Sequence, residues 1–243
     1  MGRKTENSDV FGAAISDFFE NKKADDIIVH SPDFEDDVIE VSYLFRSYQE
    51  MPKLEQKALN HCFGKVLDVG CGAGSHSLFL QNEKKLEVTA IDTSEGAVEI
   101  CKRRGIKDVR LQDFFKMENE NFDTILLLMN GIGIVGNLYN LDDFFQQLKK
   151  LLAPNGQVLL DSSDLRYLFD EDEDGGIWVD PNQYYGELQF QMSYKDKKTD
   201  SFDWLYIDFN SLQFAALKNG FEVGLVTEWL KVRKTKRATN TET

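Results

Sequence analysis

From Lys65 onward, short apolar runs alternate with longer stretches in which apolar residues recur every three or four positions. Short apolar runs suit strands buried on both faces, and the longer spacing suits helices that bury one side. Strands are therefore predicted at 65–69, 86–91, 108–111, 122–129 and 157–161, and the apolar character of 122–129 places it centrally. Helices are predicted at 75–81, from Ser94 onward, and at 141–152. Ser94 is a good N-cap, with Ala97, Val98 and Cys101 sharing one side of its helix. The last helix repeats Leu141, Phe144, Phe145, Leu148, Leu151 and Leu152 and stops before Ala153-Pro154-Asn155-Gly156. Strands alternating with helices in this way define an α/β fold built on a parallel sheet.

The flanking regions read differently. Residues 170–176 are acidic and glycine-ended, the composition of a mobile loop. Residues 186–194 and 201–207 suit two strands of a hairpin joined by the charged turn 195–200. A helix at 210–218 is stopped by Asn219-Gly220, a strand comes next at 221–227, and 231–243 reads as a solvated tail. Ahead of the first strand, 10–20 and 52–61 look helical, while 27–30 and 38–45 suit short strands around the acidic stretch 33–37.

The segment Val66-Leu67-Asp68-Val69-Gly70-Cys71-Gly72-Ala73-Gly74 joins a predicted strand to a predicted helix. Glycines there let a ligand approach the backbone, and the helix start offers unpaired N–H groups, so this is a nucleotide-cofactor loop. A dinucleotide site wants G-x-G-x-x-G. Here the third glycine comes one place early, at Gly74, and Ser75 takes the expected position. Asp68 is also foreign to a site built for pyrophosphate; a carboxylate suits a ligand that carries positive charge and an amine.

These residues resemble the first motif of the class I S-adenosylmethionine-dependent methyltransferases, and the resemblance extends in order to about Asp161. Asp92 ends the second strand about twenty residues beyond the glycines, where an acid reaches ribose hydroxyls. Gln112-Asp113-Phe114 resembles the family's adenine site, and Phe122-Asp123-Thr124-Ile125 resembles the start of its fourth motif. Residues 151–157 resemble its L-x-P-G-G turn, with Asn155 in place of a glycine. The resemblance implies a doubly wound, mostly parallel Rossmann-like sheet with helices on both faces and an antiparallel C-terminal portion. It also implies S-adenosylmethionine as methyl donor, S-adenosylhomocysteine as product, and a cofactor site formed by Asp68, Gly70, Cys71, Gly72, Gly74, Asp92, Thr93, Asp113, Phe114 and Met129. Arg46 is a lone cation ahead of the glycines and a candidate partner for the cofactor carboxylate; a surface salt bridge is its other reading. One domain, 1–243, is expected, with a cap segment at 1–62, a cofactor-binding core at 63–165 and the hairpin 184–208 covering the substrate.

Methyl transfer is an in-line displacement, so alignment does most of the work and no obvious catalytic constellation is required. Asn130, Asp164 and Tyr206 are the candidate catalytic residues. Asp161, Ser162, Ser163 and Asp164 end the fifth strand, where they either reach the pocket or cap a helix beyond it. Tyr184, Tyr185, Trp204 and Tyr206 fall in the predicted cover, and His30, His61 and His76 are too scattered to select a base. The (D/N)-P-P-(Y/F) tetrapeptide is missing, whereas Leu128-Met129-Asn130-Gly131 resembles the segment of small-molecule methyltransferases, including those acting on glycine and sarcosine.

Composition narrows the acceptor. With 28 Lys and Arg against 42 Asp and Glu, the formal charge is -14, a field that repels nucleic acid and leaves a small molecule as the expected partner. The basic residues Lys231, Arg233, Lys234, Lys236 and Arg237 lie in the predicted tail. Cys62, Cys71 and Cys101 form neither a disulfide framework nor a zinc pattern, so no metal is expected and a reducing compartment fits. No signal peptide and no apolar run of about 20 residues is evident, which points to the cytoplasm. Three alternatives stay open: a protein or peptide methyltransferase using the acidic loop, a non-catalytic cofactor-binding module, and a nicotinamide dehydrogenase.

Overall fold

A computed structural model describes residues 9–169, 183–225 and 230–234. Its elements run α1 (Val10–Asn21), β1 (Ile27–His30), β2 (Asp37–Ile39), α2 (Lys53–His61), β3 (Lys65–Val69), α3 (Ser75–Asn82), β4 (Glu87–Asp92), α4 (Glu95–Arg103) and β5 (Asp108–Leu111). They continue with β6 (Phe122–Leu127), α5 (Leu141–Leu151), β7 (Leu152–Leu160), β8 (Glu187–Tyr194), β9 (Lys197–Lys198), β10 (Phe202–Leu205), α6 (Phe209–Lys218), β11 (Phe221–Leu225) and β12 (Leu230–Lys234). The main sheet has seven strands in the order β11-β12-β7-β6-β3-β4-β5. From β7 to β5 every pairing is parallel. β12 runs antiparallel to both β7 and β11, which leaves β11 pointing with the parallel set. The expected α/β sheet with an antiparallel C-terminal portion is the observed one.

Strand side chains alternate between faces, and the sequence fills both faces with apolar residues. Val66, Leu126 and Leu159 pack against Leu59 of α2 and Leu80 of α3. Leu67, Ile125, Val158 and Leu160 pack on the opposite face with Phe144, Phe145 and Leu148 of α5 and Leu212 of α6. Local chemistry sets the helix ends. The Ser94 hydroxyl accepts from Ala97 N to start α4. α5 carries Asp142 and Asp143 in its first turn and Lys149 and Lys150 in its last, each charge matching the helix dipole.

Several boundaries differ from expectation. β6 stops at Leu127, short of 129, because Met129 and Asn130 both turn left-handed, with φ of 58° and 57°. β7 starts at Leu152, and its pairing with β6 jumps from Phe122↔Leu152 to Thr124↔Gln157. Residues 153–156 are looped out as a bulge, where Pro154 has no ladder bond to break and Asn155 takes φ 65° in the place of a glycine. Of the predicted 38–45 strand region only Val38 and Ile39 pair, with Asp37 of the acidic stretch joining them in β2, and Val41–Phe45 winds into a 3-10 turn that buries Val41 and Leu44. The expected tail is corrected: Leu230–Lys234 is β12, whose backbone is paired on both sides, so Lys231, Arg233 and Lys234 stand in the sheet. The acidic loop 170–176 lies outside the described residues.

A second, antiparallel sheet has the order β10-β8-β1-β2, with β9 against β8. The predicted hairpin is present as β8 and β10, paired from Phe202↔Phe190 to Leu205↔Glu187. Its other edge pairs with the N-terminal segment, Ile28↔Ser193 through His30↔Gln191, so cap and hairpin form one layer. That layer is tied to the main sheet at its strand ends. Asn130 Nδ2 donates to Leu205 O at 3.2 Å, and Gly133 lies so close to the Trp204 indole that a Cβ would stand 2.0 Å from it. Among the described residues no helix is long and apolar enough to cross a membrane.

Candidate active site

The glycine loop leaves the carboxyl end of β3 and turns back on itself through positive φ at Gly70, Gly72 and Gly74. Gly70 N and Cys71 N both donate to Ile91 O, at 2.9 and 3.0 Å, which fastens the loop to the end of β4. The three glycines serve different needs. Gly74 starts α3 where a Cβ would meet Ile106 at 2.4 Å, whereas a Cβ on Gly70 would meet nothing within 4 Å. Open space therefore lies beside the backbone at Gly70, as ligand approach requires.

Asp92 at the end of β4 braces the same loop. Its Oδ2 accepts from Gly72 N and its Oδ1 from Ser94 N, both at 2.9 Å. Burial raises its carboxyl above the ordinary value, against the pull of the N–H donors of Ser94, Gly72 and Thr93. Nearby, Asp9 caps α1 through Gly12 N and reaches Ser94 Oγ and Gly96 N of the neighbouring helix. Phe11, two residues on, faces Gly72. Asp68, buried within β3, accepts from Ser77 Oγ at 2.6 Å; burial raises its carboxyl, with His76 and Ser77 opposing.

Arg46 is buried, not a surface ion-pair residue. Its Nη2 donates to Glu55 Oε2 at 2.5 Å and to Met129 Sδ at 3.2 Å, and its Nη1 donates to Tyr43 O at 2.7 Å. His76 Nε2 lies 2.8 Å from the same Glu55 oxygen. Burial acts to raise the Glu55 carboxyl, yet His76 and Arg46 outweigh it and hold the group below the usual carboxylate value. Arg46 Nε is shielded from solvent and has no partner. Asp161, just past the end of β7, accepts from Asn130 N at 2.7 Å.

The other predicted residues are scattered around this frame. Thr93 is exposed beside Asp92. The Cys71 thiol points inward, 3.8 Å from Cys101 Sγ, and leaves only its backbone to the loop. Asp113 caps the turn after β5 through Phe115 N at 2.9 Å. The Phe114 ring is buried against Phe144, and Phe115 is the exposed ring of the pair. Asp164 is exposed and holds Arg166 N and Tyr185 OH. Tyr206 lies just past β10, and burial raises its phenol. Tyr184 OH donates to Asp208 Oδ2 at 2.7 Å. Sequence reasoning passed over Asp9 and Glu55 and selected no base among the histidines; the part of His76 beside Glu55 emerges only once α2 and α3 are brought together.

The residues fit an S-adenosyl nucleoside: an open glycine backbone, a strand-end acid bracing it, and a buried guanidinium nitrogen without a partner sit at one sheet edge. Comparison with known proteins agrees. A family described as a methyltransferase domain matches residues 63–215. An S-adenosylmethionine-dependent methyltransferase from Bacteroides fragilis, solved with S-adenosyl-L-homocysteine, is 48% identical, with 94% of this chain and 95% of that one covered and a TM-score of 0.87. The CcbJ methyltransferase from Streptomyces caelestis (12% identity, 93% and 98% covered, TM-score 0.59) shares the fold. So does a sugar N-methyltransferase from a Streptoalloteichus species (14% identity, 79% and 88% covered, TM-score 0.55). No curated protein sequence matches. The chain belongs to the class I S-adenosylmethionine-dependent methyltransferases.

Proposed function

We propose that this protein transfers a methyl group to a nitrogen or oxygen atom of a small molecule. One arrangement supports the reading: the glycine loop, Asp92 and Asp161 stand at the carboxyl ends of parallel strands, Arg46 bonds Met129 at that same end, and the second sheet is tied there through Asn130 and Leu205. In this reading the backbone at Gly70, Cys71, Gly72 and Gly74 cradles the donor, with Asp68 set behind it for the ammonium group. Asp92 and Thr93 take the ribose; each Asp92 oxygen already accepts one N–H and has capacity for another donor. Asp113 takes the adenine amine, with the backbone of Phe114 beside it. Arg46, through its free Nε, receives the carboxylate, and Met129 lines the approach.

S-adenosylmethionine, when bound, supplies an electrophilic methyl group on a sulfonium. The protein's own part is alignment and exclusion of water. The layer of β1, β2, β8 and β10, docked through Asn130 and Trp204, roofs the edge and limits the acceptor to something that fits beneath it. The net charge of -14 supports the same limit by repelling polyanions.

Incubation with labelled S-adenosylmethionine and separate metabolite, peptide and RNA pools tests this. Label is expected in metabolites; label confined to peptides or RNA rejects the small-molecule acceptor. S-adenosylhomocysteine at one hundred times its Kd should stabilise the fold by about 2.7 kcal/mol, and NAD should not. Gly70→Ala is expected to cost about 1 kcal/mol of stability at its positive φ. Its methyl group enters the open space beside the loop, so calorimetry should show S-adenosylhomocysteine affinity reduced by about 10-fold, roughly the 1.4 kcal/mol of one lost contact.

A further inference from the structure

Two oxygens at the roofed edge have no hydrogen-bond donor. Asn130 Oδ1 and Asp161 Oδ1 are both shielded from solvent and accept no hydrogen bond of normal geometry. Their residues follow the ends of adjacent strands, β6 and β7, and are joined by the 2.7 Å bond from Asn130 N to Asp161 Oδ2. Asn130 Nδ2 is committed to Leu205 O, which fixes the amide and leaves its oxygen as the remaining end. The backbone is bent to achieve this, with Met129 and Asn130 in consecutive left-handed conformations that cost free energy for residues other than glycine. Acceptors buried without donors are rare in folded proteins and call for an explanation.

We propose that Asn130 Oδ1 and Asp161 Oδ1 hold the two N–H groups of a primary amine, the methyl acceptor, and that Asp161 takes the proton this nitrogen sheds. The inference rests on the methyltransferase reading and narrows it to amines. A neutral primary amine has two hydrogens and one lone pair, so donation to both oxygens leaves the lone pair as the remaining direction for attack. An alcohol has one hydrogen and leaves one oxygen without a donor. The amine lone pair forms the new N–C bond while the C–S bond breaks, its electrons staying on sulfur as a thioether. The nitrogen, then a secondary ammonium, passes one proton to the Asp161 carboxylate, which releases it to water when product leaves.

The electrostatics are consistent with a proton acceptor near neutrality. Burial pushes the Asp161 carboxyl up to about 6, against the N–H groups of Asn130 and of Asp161 itself. Glu55 of α2 raises it further and His76 of α3 lowers it, while Tyr206, after β10, lies within its field. A carboxyl raised in the fold stabilises the protein below its unfolded value, near 4, and that contribution is lost as pH rises through 6. Asp161→Asn removes the loss and keeps an oxygen for Asn130 N. The variant should therefore melt a few degrees above wild type at about pH 7.5.

The test uses the full chain and matched acceptors: glycine with glycolate, ethanolamine with ethylene glycol, glucosamine with glucose. S-adenosylhomocysteine formation is expected from amine members alone. Asp161→Asn should lower kcat at least about 100-fold and remove the acidic limb near pH 6, with S-adenosylhomocysteine affinity unchanged. Turnover of hydroxyl members alone, turnover of no pair by a protein that binds S-adenosylhomocysteine, or a variant with wild-type kcat and pH profile each overturns the assignment. Failure to bind S-adenosylhomocysteine rejects the methyltransferase reading itself, which separates the two failures.

Discussion

Asp92→Ala is expected to weaken S-adenosylhomocysteine binding by about 100-fold or more, because two hydrogen bonds to a charged acceptor are worth about 1.5–3 kcal/mol each. The same substitution strikes the apo protein. Gly72 N and Ser94 N lose their shared acceptor, and with it the link between the glycine loop and the start of α4. An orphaned buried N–H costs about 1–3 kcal/mol, partly offset by relief of a carboxylate that burial disfavours. The net expectation is a loss of about 1–2 kcal/mol in stability beside the larger loss in binding. Isothermal calorimetry with S-adenosylhomocysteine and a denaturant titration measure the two separately. Asp92→Asn sharpens the comparison: its one oxygen and one amide restore part of the brace but present a donor where, in the proposed site, ribose hydroxyls donate. Binding by either variant at wild-type affinity removes Asp92 from the ribose site.

The central half of the chain was legible because its signals are local. The β3–loop–α3 unit comes from an apolar run, three glycines and a helical repeat that are contiguous in sequence, and Ser94 declares the start of α4 by its hydroxyl. Boundaries failed where tertiary structure overruled the pattern. Leu128 and Met129 are apolar enough to continue β6, yet the left-handed backbone at Met129 and Asn130 ends the strand early. Residues 153–156 read as a turn between helix and strand, and the pairing of Leu152 with Phe122 shows instead a bulge within one strand. Pairings between distant segments were not legible at all. His30 meets Gln191, and β12 slips between β7 and β11, through contacts that no local periodicity encodes. The site divides along the same line. The glycines and Asp92 announce themselves by spacing, while Arg46, Glu55, His76 and Asp161 come from separate elements and form a set only in three dimensions.

Gly96→Val carries the largest expected cost in stability. α1 and α4 cross with almost no side chain between them: a Cβ on Gly96 would stand 2.6 Å from Gly12 Cα, and one on Gly12 would stand 2.7 Å from Gly96 Cα. These neighbours are backbone atoms, so the clash is not relieved by a rotamer change. Separating the helices breaks the bonds from Ser94 Oγ and Gly96 N to Asp9 and exposes Val10, Ala14 and Ile15, all fully or nearly fully buried. Overpacking alone costs about 1–3 kcal/mol. Lost burial of apolar side chains adds about 1.5–3 kcal/mol for each large one, so a total near 4 kcal/mol is expected. The effect should reach the cofactor as well, since Phe11 of α1 faces Gly72 and leaves with its helix. Protease cleavage within 9–21 should accelerate, and S-adenosylhomocysteine affinity should fall even though no residue of the glycine loop has changed. A variant whose α1 is released but whose affinity is intact would limit α1 to a structural part and leave the loop to bind alone.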